Sequence, residues 1–261
     1  MSSELLSIVL VAFVALLGSF ATFFSGFGLG TILLPVFALF FPLDIAILST
    51  AIVHFFNNIF KFGLVYNHLD WRLILRFGIP SGIGAWLGSS VLAEIGQADL
   101  FFSYTLFDKL IEVNWTHFII GILMIFFALM DLLPFLENMT FGKKVMVIGG
   151  LISGFFGGLS GHQGALRSAF LSKAELSKHV FVSTGIAISF IVDLTRMGNY
   201  LKGGIEWSDL PKNSMLIGVL SAFLGAYFGK KLFDKKEKLN IRIIVAIFLL
   251  AMGVLTLIGL V

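Results

Sequence analysis

Ser25 to Pro35 reads SGFGLGTILLP, with three glycines in its first six residues, inside a strongly apolar segment. Hydrocarbon offers a freed N–H or C=O no partner, so a glycine-broken segment persists in a bilayer only where protein or a watered cavity satisfies its backbone. A second break stands at Ser160 to Leu171, SGHQGALRSAFL. Paired interruptions, one in each half of a chain, are the best sequence pointer to a transport site.

The surrounding composition supplies the bilayer. The 261 residues are 58% hydrophobic, their mean hydropathy is +1.00 and only 13% are charged. That excludes a soluble domain and predicts an all-α polytopic membrane protein, several of whose stretches exceed the ~20 apolar residues that cross the hydrocarbon. A net charge of +3 and a pI of 9.1 raise the question of nucleic acid, but the lysines sit in loops between apolar spans. Membrane orientation explains them, so the partners expected are the lipid bilayer and a small anion, with no nucleic acid. Without cysteine there are no disulfides or thiolate metal sites, and no cofactor or metal is implied. The first segment lacks a basic n-region and runs on past the length of a signal-peptide core, which reads as a retained segment.

Working outward from the first break, Leu5 to Phe24 is apolar and long enough to span, and Thr31 to Phe41 covers about half a membrane. Pro42 and Asp44 open a helix running to about Tyr66, with His54, Asn57 and Asn58 near its middle. A third span, Leu73 to Leu92, contains GIPSGIGAWLG, whose small residues permit close helix contact. In Glu94 to Asn114 the spacing of Leu100, Tyr104, Phe107 and Ile111 predicts a short interfacial helix. The fourth span runs from Trp115 to about Leu133 and ends at Pro134.

The chain then repeats itself. SGFGLG at Ser25 meets SGHQGA at Ser160, Ser49-Thr50 meets Ser183-Thr184, Asp70-Trp71 meets Glu206-Trp207 and GAWLG at Gly84 meets GAYFG at Gly225, at offsets of 135, 134, 136 and 141. We read two homologous four-segment repeats, residues 1–138 and 139–261, each opening with a glycine-broken helix that is either discontinuous or re-entrant. The second holds a broken segment (Val145 to Leu171), a helix (Lys178 to Tyr200) and two spans (Ser214 to Phe233, Ile241 to Val261). If every segment crosses, the loop cations divide seven to nine and orient nothing. If 5–41 and 145–171 turn back, the repeats are inverted and the cations divide thirteen to three, with both termini outside.

Helices that begin after each break aim their N-terminal N–H groups and positive dipole ends at mid-membrane, which makes an anion site. In the first repeat the candidates are Ser25, Gly26, Gly28, Gly30 and Thr31; in the second, Ser160, Gly161, His162, Gln163 and Gly164. Arg167 follows within a turn. A charge at that depth costs about 2.5 to 3.5 kcal/mol on insertion scales, so it is expected to face a cavity and an anion or a carboxylate. Asn57 and Asn58 are further binding candidates, or bonds across helices. His54, Asp193 and Arg196 are coupling or ion-pair candidates: Asp193 and Arg196 share a helix face, and Asp193 is read as a buried pair, a proton acceptor or the partner of Arg167. A glycine cluster can also serve close packing alone. GFGLG resembles part of a nucleotide loop but follows no strand. Trp71, Trp207, Tyr66 and Tyr200 at helix ends read as interfacial anchors. No nucleophile–base or paired-carboxylate arrangement stands out, so an enzyme is not expected.

At these residues the chain resembles the sulfite exporter TauE/SafE family, also called the four-toluene-sulfonate uptake permease family. The resemblance covers nearly the whole chain: eight hydrophobic segments in two repeats, each opening with a glycine-rich motif followed by a proline. SGFGLGTILLP fits, Pro35 included; SGHQGALRSAF departs from it, with His162-Gln163 before Gly164, Ala165 in place of glycine and Phe170 in place of proline. The resemblance implies a secondary transporter of sulfite, sulfonates or related small anions in the cell (inner) membrane, driven by a proton or ion gradient. A passive anion channel and a membrane receptor that binds without transporting are the alternatives, and the oligomeric state, homo-oligomer included, stays open.

Overall fold

Apolar segments of this length satisfy their backbone internally by coiling, and the computed structural model is built of helices accordingly. It describes residues 3–25, 28–97, 100–133, 145–171, 174, 176–201, 205–234 and 242–261. Helix α1 (Ser3–Ser25) stops at the first break and α2 (Leu29–Ala38) starts directly after it. There follow α3 (Leu43–Val65), α4 (Trp71–Leu73), a π-helical turn (Ile74–Gly78) and α5 (Ile79–Ile95). Strands β1 (Leu100–Leu106) and β2 (Lys109–Asn114) precede α6 (Trp115–Leu132). Then come α7 (Met146–Ser160), α8 (Gly164–Leu171), α9 (Lys178–Tyr200), α10 (Lys212–Phe233) and α11 (Arg242–Leu257). Among the described residues five helices are long and apolar enough to cross a membrane: Ser3–Phe23, Leu43–His68, Trp115–Leu132, Lys178–Tyr200 and Lys212–Phe233. With the short apolar helices packed among them, this is a polytopic helical membrane protein.

Local chemistry explains the irregular places. Pro80 has no N–H for the Arg76 carbonyl, and the helix widens into the π turn just before it. The Asp70 carboxylate accepts the Leu73 N–H at 3.0 Å and so starts that run.

The helix expected in Glu94 to Asn114 is instead an antiparallel hairpin, with Leu106 opposite Lys109 and Tyr104 opposite Ile111. Phe107 and Asp108 both take positive φ, 49° and 60°, the two-residue turn whose twist matches paired strands. Strand-favouring Phe101, Phe102, Tyr104 and Thr105 outweigh the helical spacing. Phe101 packs on Trp115 and Phe118 with ring centroids 4.3 Å apart, and the Tyr104 hydroxyl donates to the Ile258 carbonyl at 2.6 Å.

The contacts give the helix directions. Ser19 meets Asn57 and Thr22 meets Lys61, so α1 and α3 run parallel. Ser7 meets Ser214 and Leu16 meets Gly225, so α10 runs with them. Between α1 and α3 in the chain, α2 packs on α1 at Gly18 through Leu29 and Ile32. By contrast α3 and α9 are antiparallel, with Phe55 stacked on Phe190 and His68 against His179. So are α6 and α11, where Gly121 meets Leu257 and Met124 meets Gly253. Close backbone approaches join two helix pairs. A methyl on Gly84 or Gly88 would stand 2.2 or 2.0 Å from the Leu151 or Phe155 carbonyl oxygen, so α5 lies directly on α7. One on Gly225 or Gly229 would stand 2.1 or 2.9 Å from that of Leu16 or Phe20, so α10 lies close on α1.

Candidate functional site

Both glycine breaks come to the same place. Gly28, in extended backbone at φ −88° and ψ 146°, precedes the first turn of α2. Gly161 ends α7 in the left-handed region at φ 78°, its N–H bonded to the Gly157 carbonyl at 2.9 Å. A methyl on Gly30 would lie 3.7 Å from the Gly161 oxygen, so the two interruptions face each other. One on Gly161 would stand 2.7 Å from the Arg196 guanidinium, so φ and space alike demand glycine there. The first-turn amides of α2 and α8 have few intrahelical acceptors and are aimed at this region; the Thr31 and Arg167 N–H groups bond back to the Gly28 and Gln163 carbonyls at 3.2 and 2.9 Å.

Helices α3 and α9 cross beside the breaks and carry a buried polar cluster. The Asp193 carboxylate accepts from Asn58 Nδ2 at 2.8 Å and from Arg196 Nε at 3.0 Å, and lies 2.7 Å from His54 Nδ1. Arg196 Nη2 adds a second contact at 2.9 Å to the same oxygen, Oδ1, so the guanidinium neutralises the carboxylate. Asp193 thus pairs with Arg196, with His54 and Asn58 completing the cluster. Arg167, also buried, donates to the Ser189 hydroxyl. Asn57 Oδ1 accepts from Ser19 at 2.8 Å.

Next to this cluster lies a narrow cavity, part of it open to the exterior, lined by Gly28, His54, Asn58, Lys61, Arg167 and Ser189 among others. No carboxylate lines it among the described residues. Lys61 is buried, its amine donating to the Thr22 hydroxyl and lying 4.9 Å from the Phe23 ring centroid. Two basic side chains thus approach one polar pocket at the start of α2. A pocket of this kind suits a small anion, because its basic groups were already desolvated when the protein folded.

The sequence candidates are distributed unevenly. Gly28, His54, Asn58 and Arg167 line the cavity, while Gly30, Gly161 and Arg196 meet one another at the breaks, outside its lining. Thr31, Asn57, Ser160, His162, Gln163 and Gly164 are buried and also outside the lining. The Ser160 hydroxyl is turned back to the Phe156 carbonyl at 3.1 Å. Gly26 lies outside the described residues, and Ser25 is the last residue of α1.

Two expectations change. Lys61, counted with the loop cations, is a buried residue of α3. Tyr200, read with the interfacial anchors, is buried, with its hydroxyl on the Gly158 carbonyl, whereas Tyr66, Trp71 and Trp207 are exposed. Lys61, Thr22 and Ser189 were missed as site residues. Lys61 was legible: it follows His54 by seven and Asn58 by three, on the same helix face.

The chain belongs to the sulfite exporter TauE/SafE family: the family model of that description matches residues 11–256, nearly the whole chain. Membership makes it a membrane transporter of the sulfite-exporter kind. No curated protein matches the chain.

Proposed function

We propose that this protein is a secondary transporter that carries a small sulfur-containing anion, sulfite or an organosulfonate, across the cell (inner) membrane by alternating access. The observation that carries the reading is the convergence of Lys61 and Arg167 on a cavity at the paired helix breaks. The substrate's oxygens are held by those two cations, by the first amides of α2 and α8, and by the Asn58 and Ser189 side chains. A coupling proton is taken up by the His54–Asp193 pair, which joins the cavity wall to the buried Arg196.

The same reading makes residues 1–138 and 139–261 inverted repeats whose broken helices are re-entrant. Helix directions support it. Equivalent helices meet in antiparallel pairs, α3 with α9 and α6 with α11, as an in-plane two-fold axis requires. Contacts also come in reciprocal pairs, α5 on α7 and α10 on α1. With Lys61 withdrawn from the loops, twelve cations still face three, which directs the cavity mouth to the cytoplasm and both termini outside. A tag on either terminus that is reachable only from the cytoplasm would overturn this topology.

Reconstitution into proteoliposomes tests the function. Sulfite or sulfonate flux that accelerates with an imposed pH gradient supports the proposal. Flux indifferent to the gradient would make the protein a passive facilitator, and equilibrium binding without flux a receptor.

A further inference from the structure

A second chamber lies at the opposite end of α3 and α9. It encloses about 570 Å³ of partly open space and is lined by Asp44, Ile47, Leu92, Gln97, Thr116 and Tyr200 among others. The helix directions set the two cavities apart. The first is bounded by the C-terminal half of α3 and the N-terminal half of α9, residues 54–61 and 181–189; the second by the start of α3 and the end of α9. From Gly185 to Tyr200 is fifteen residues, about 22 Å of helix. The chambers therefore face opposite sides of the protein, and a layer of buried side chains separates them.

That layer can be followed along α9. Ser189 touches Arg167 in the first cavity, Asp193 and Arg196 lock to His54 and Asn58 one turn on, and Tyr200 follows one turn beyond Arg196. The Tyr200 ring is 6% exposed and its hydroxyl holds the Gly158 carbonyl, three residues before the Gly161 break. Tyr200 thus ties α9 to the end of α7 while its ring forms a wall of the second chamber. The chambers also differ in charge. Lys61 and Arg167 line the first, whereas the second has Asp44 and no cation among its described lining residues.

We propose that the second chamber is the site through which the anion leaves the protein, and that Tyr200 is the barrier that closes it from the cation-lined cavity. The inference rests on the transporter reading above. A carboxylate-bearing, cation-free chamber holds an anion weakly, so substrate that passes Tyr200 is released rather than retained. Passage requires the Tyr200–Gly158 tether to open, which moves α9 relative to α7 and thereby links the barrier to the second helix break.

The chain contains no cysteine, so single thiols can be introduced and probed with a charged, membrane-impermeant methanethiosulfonate in vesicles of either orientation. Gln97→Cys in the second chamber and Val182→Cys in the first cavity should react from opposite faces. Adding Tyr200→Ala should make the Val182→Cys thiol reactive from both faces, whereas Tyr200→Phe, which keeps the ring, should leave it one-sided. If Tyr200→Ala fails to fold, Tyr200→Leu decides in its place: it removes the ring and the tether with less loss of volume and should also open Val182→Cys to both faces. Reaction of Gln97→Cys and Val182→Cys from the same face would overturn the proposal. So would one-sided labelling that survives Tyr200→Ala or, where that variant does not fold, Tyr200→Leu. Labelling needs no anion, so a failed flux assay with opposite-sided labelling would sink the transporter reading and leave the barrier standing.

Discussion

The two helix breaks share a skeleton and differ in chemistry. The first offers bare backbone: Gly28 and Gly30 followed by Leu, Ile and Pro35. At the second, Gly161 is followed by His162, Gln163 and, within a turn of α8, Arg167. Helices α3 and α9 divide their labour in the same way. Each has 23 residues and they begin 135 apart, so Asn58 and Asp193 occupy equivalent positions and bond to each other where the helices cross. Equivalent positions 54 and 189 carry His and Ser, and 61 and 196 carry Lys and Arg. On the proposed repeat, a shared frame sets where polar groups can stand, while their identities make one half the carboxylate-bearing half and leave both halves to supply a basic group.

The sharpest way to break that comparison is at its central contact. Asp193→Ala strands Arg196 in the interior and should cost about 3–5 kcal/mol, read as a collapse of folded yield or of the unfolding midpoint in detergent. Its equivalent, Asn58→Ala, removes a neutral partner and should cost about 1–3 kcal/mol. Equal losses would mean that the charge at position 193 has no special structural role. The frame itself is tested by Gly84→Ala and Gly225→Ala, whose new methyls would meet carbonyl oxygens at 2.2 and 2.1 Å. Each should lower stability by about 1–3 kcal/mol and the two by similar amounts; a change tolerated at one site alone would break the symmetry. Smallest is the hairpin, which among the described residues occurs in one half only. Phe107 is 90% exposed in a positive-φ turn, so Phe107→Asn should shift stability by no more than about 0.5 kcal/mol.

Much of this was legible because hydrocarbon is a strict solvent. Apolar length gave the helices, and α9 begins and ends at the residues read from hydropathy. Glycine clustering located the breaks, since close approach and positive φ both select glycine. What failed did so for physical reasons. Around Tyr104 the helical spacing competed with strand-favouring aromatics, and spacing cannot weigh a tight turn against a helix. Lys61 was misplaced because a lysine near a helix end resembles an orientation signal until a partner such as Thr22 is seen. Tyr200 was misplaced because equivalence to Tyr66 suggested equal exposure, whereas Tyr200 is packed against the end of α7 through the Gly158 carbonyl.

The most direct test of the account is isothermal titration of the purified protein with sulfite, beside Arg167→Ala and Lys61→Met. The account predicts saturable binding to the wild type, loss of that binding in Arg167→Ala and weaker binding in Lys61→Met, with all three proteins folded. Sulfite binding unchanged in both variants would contradict it.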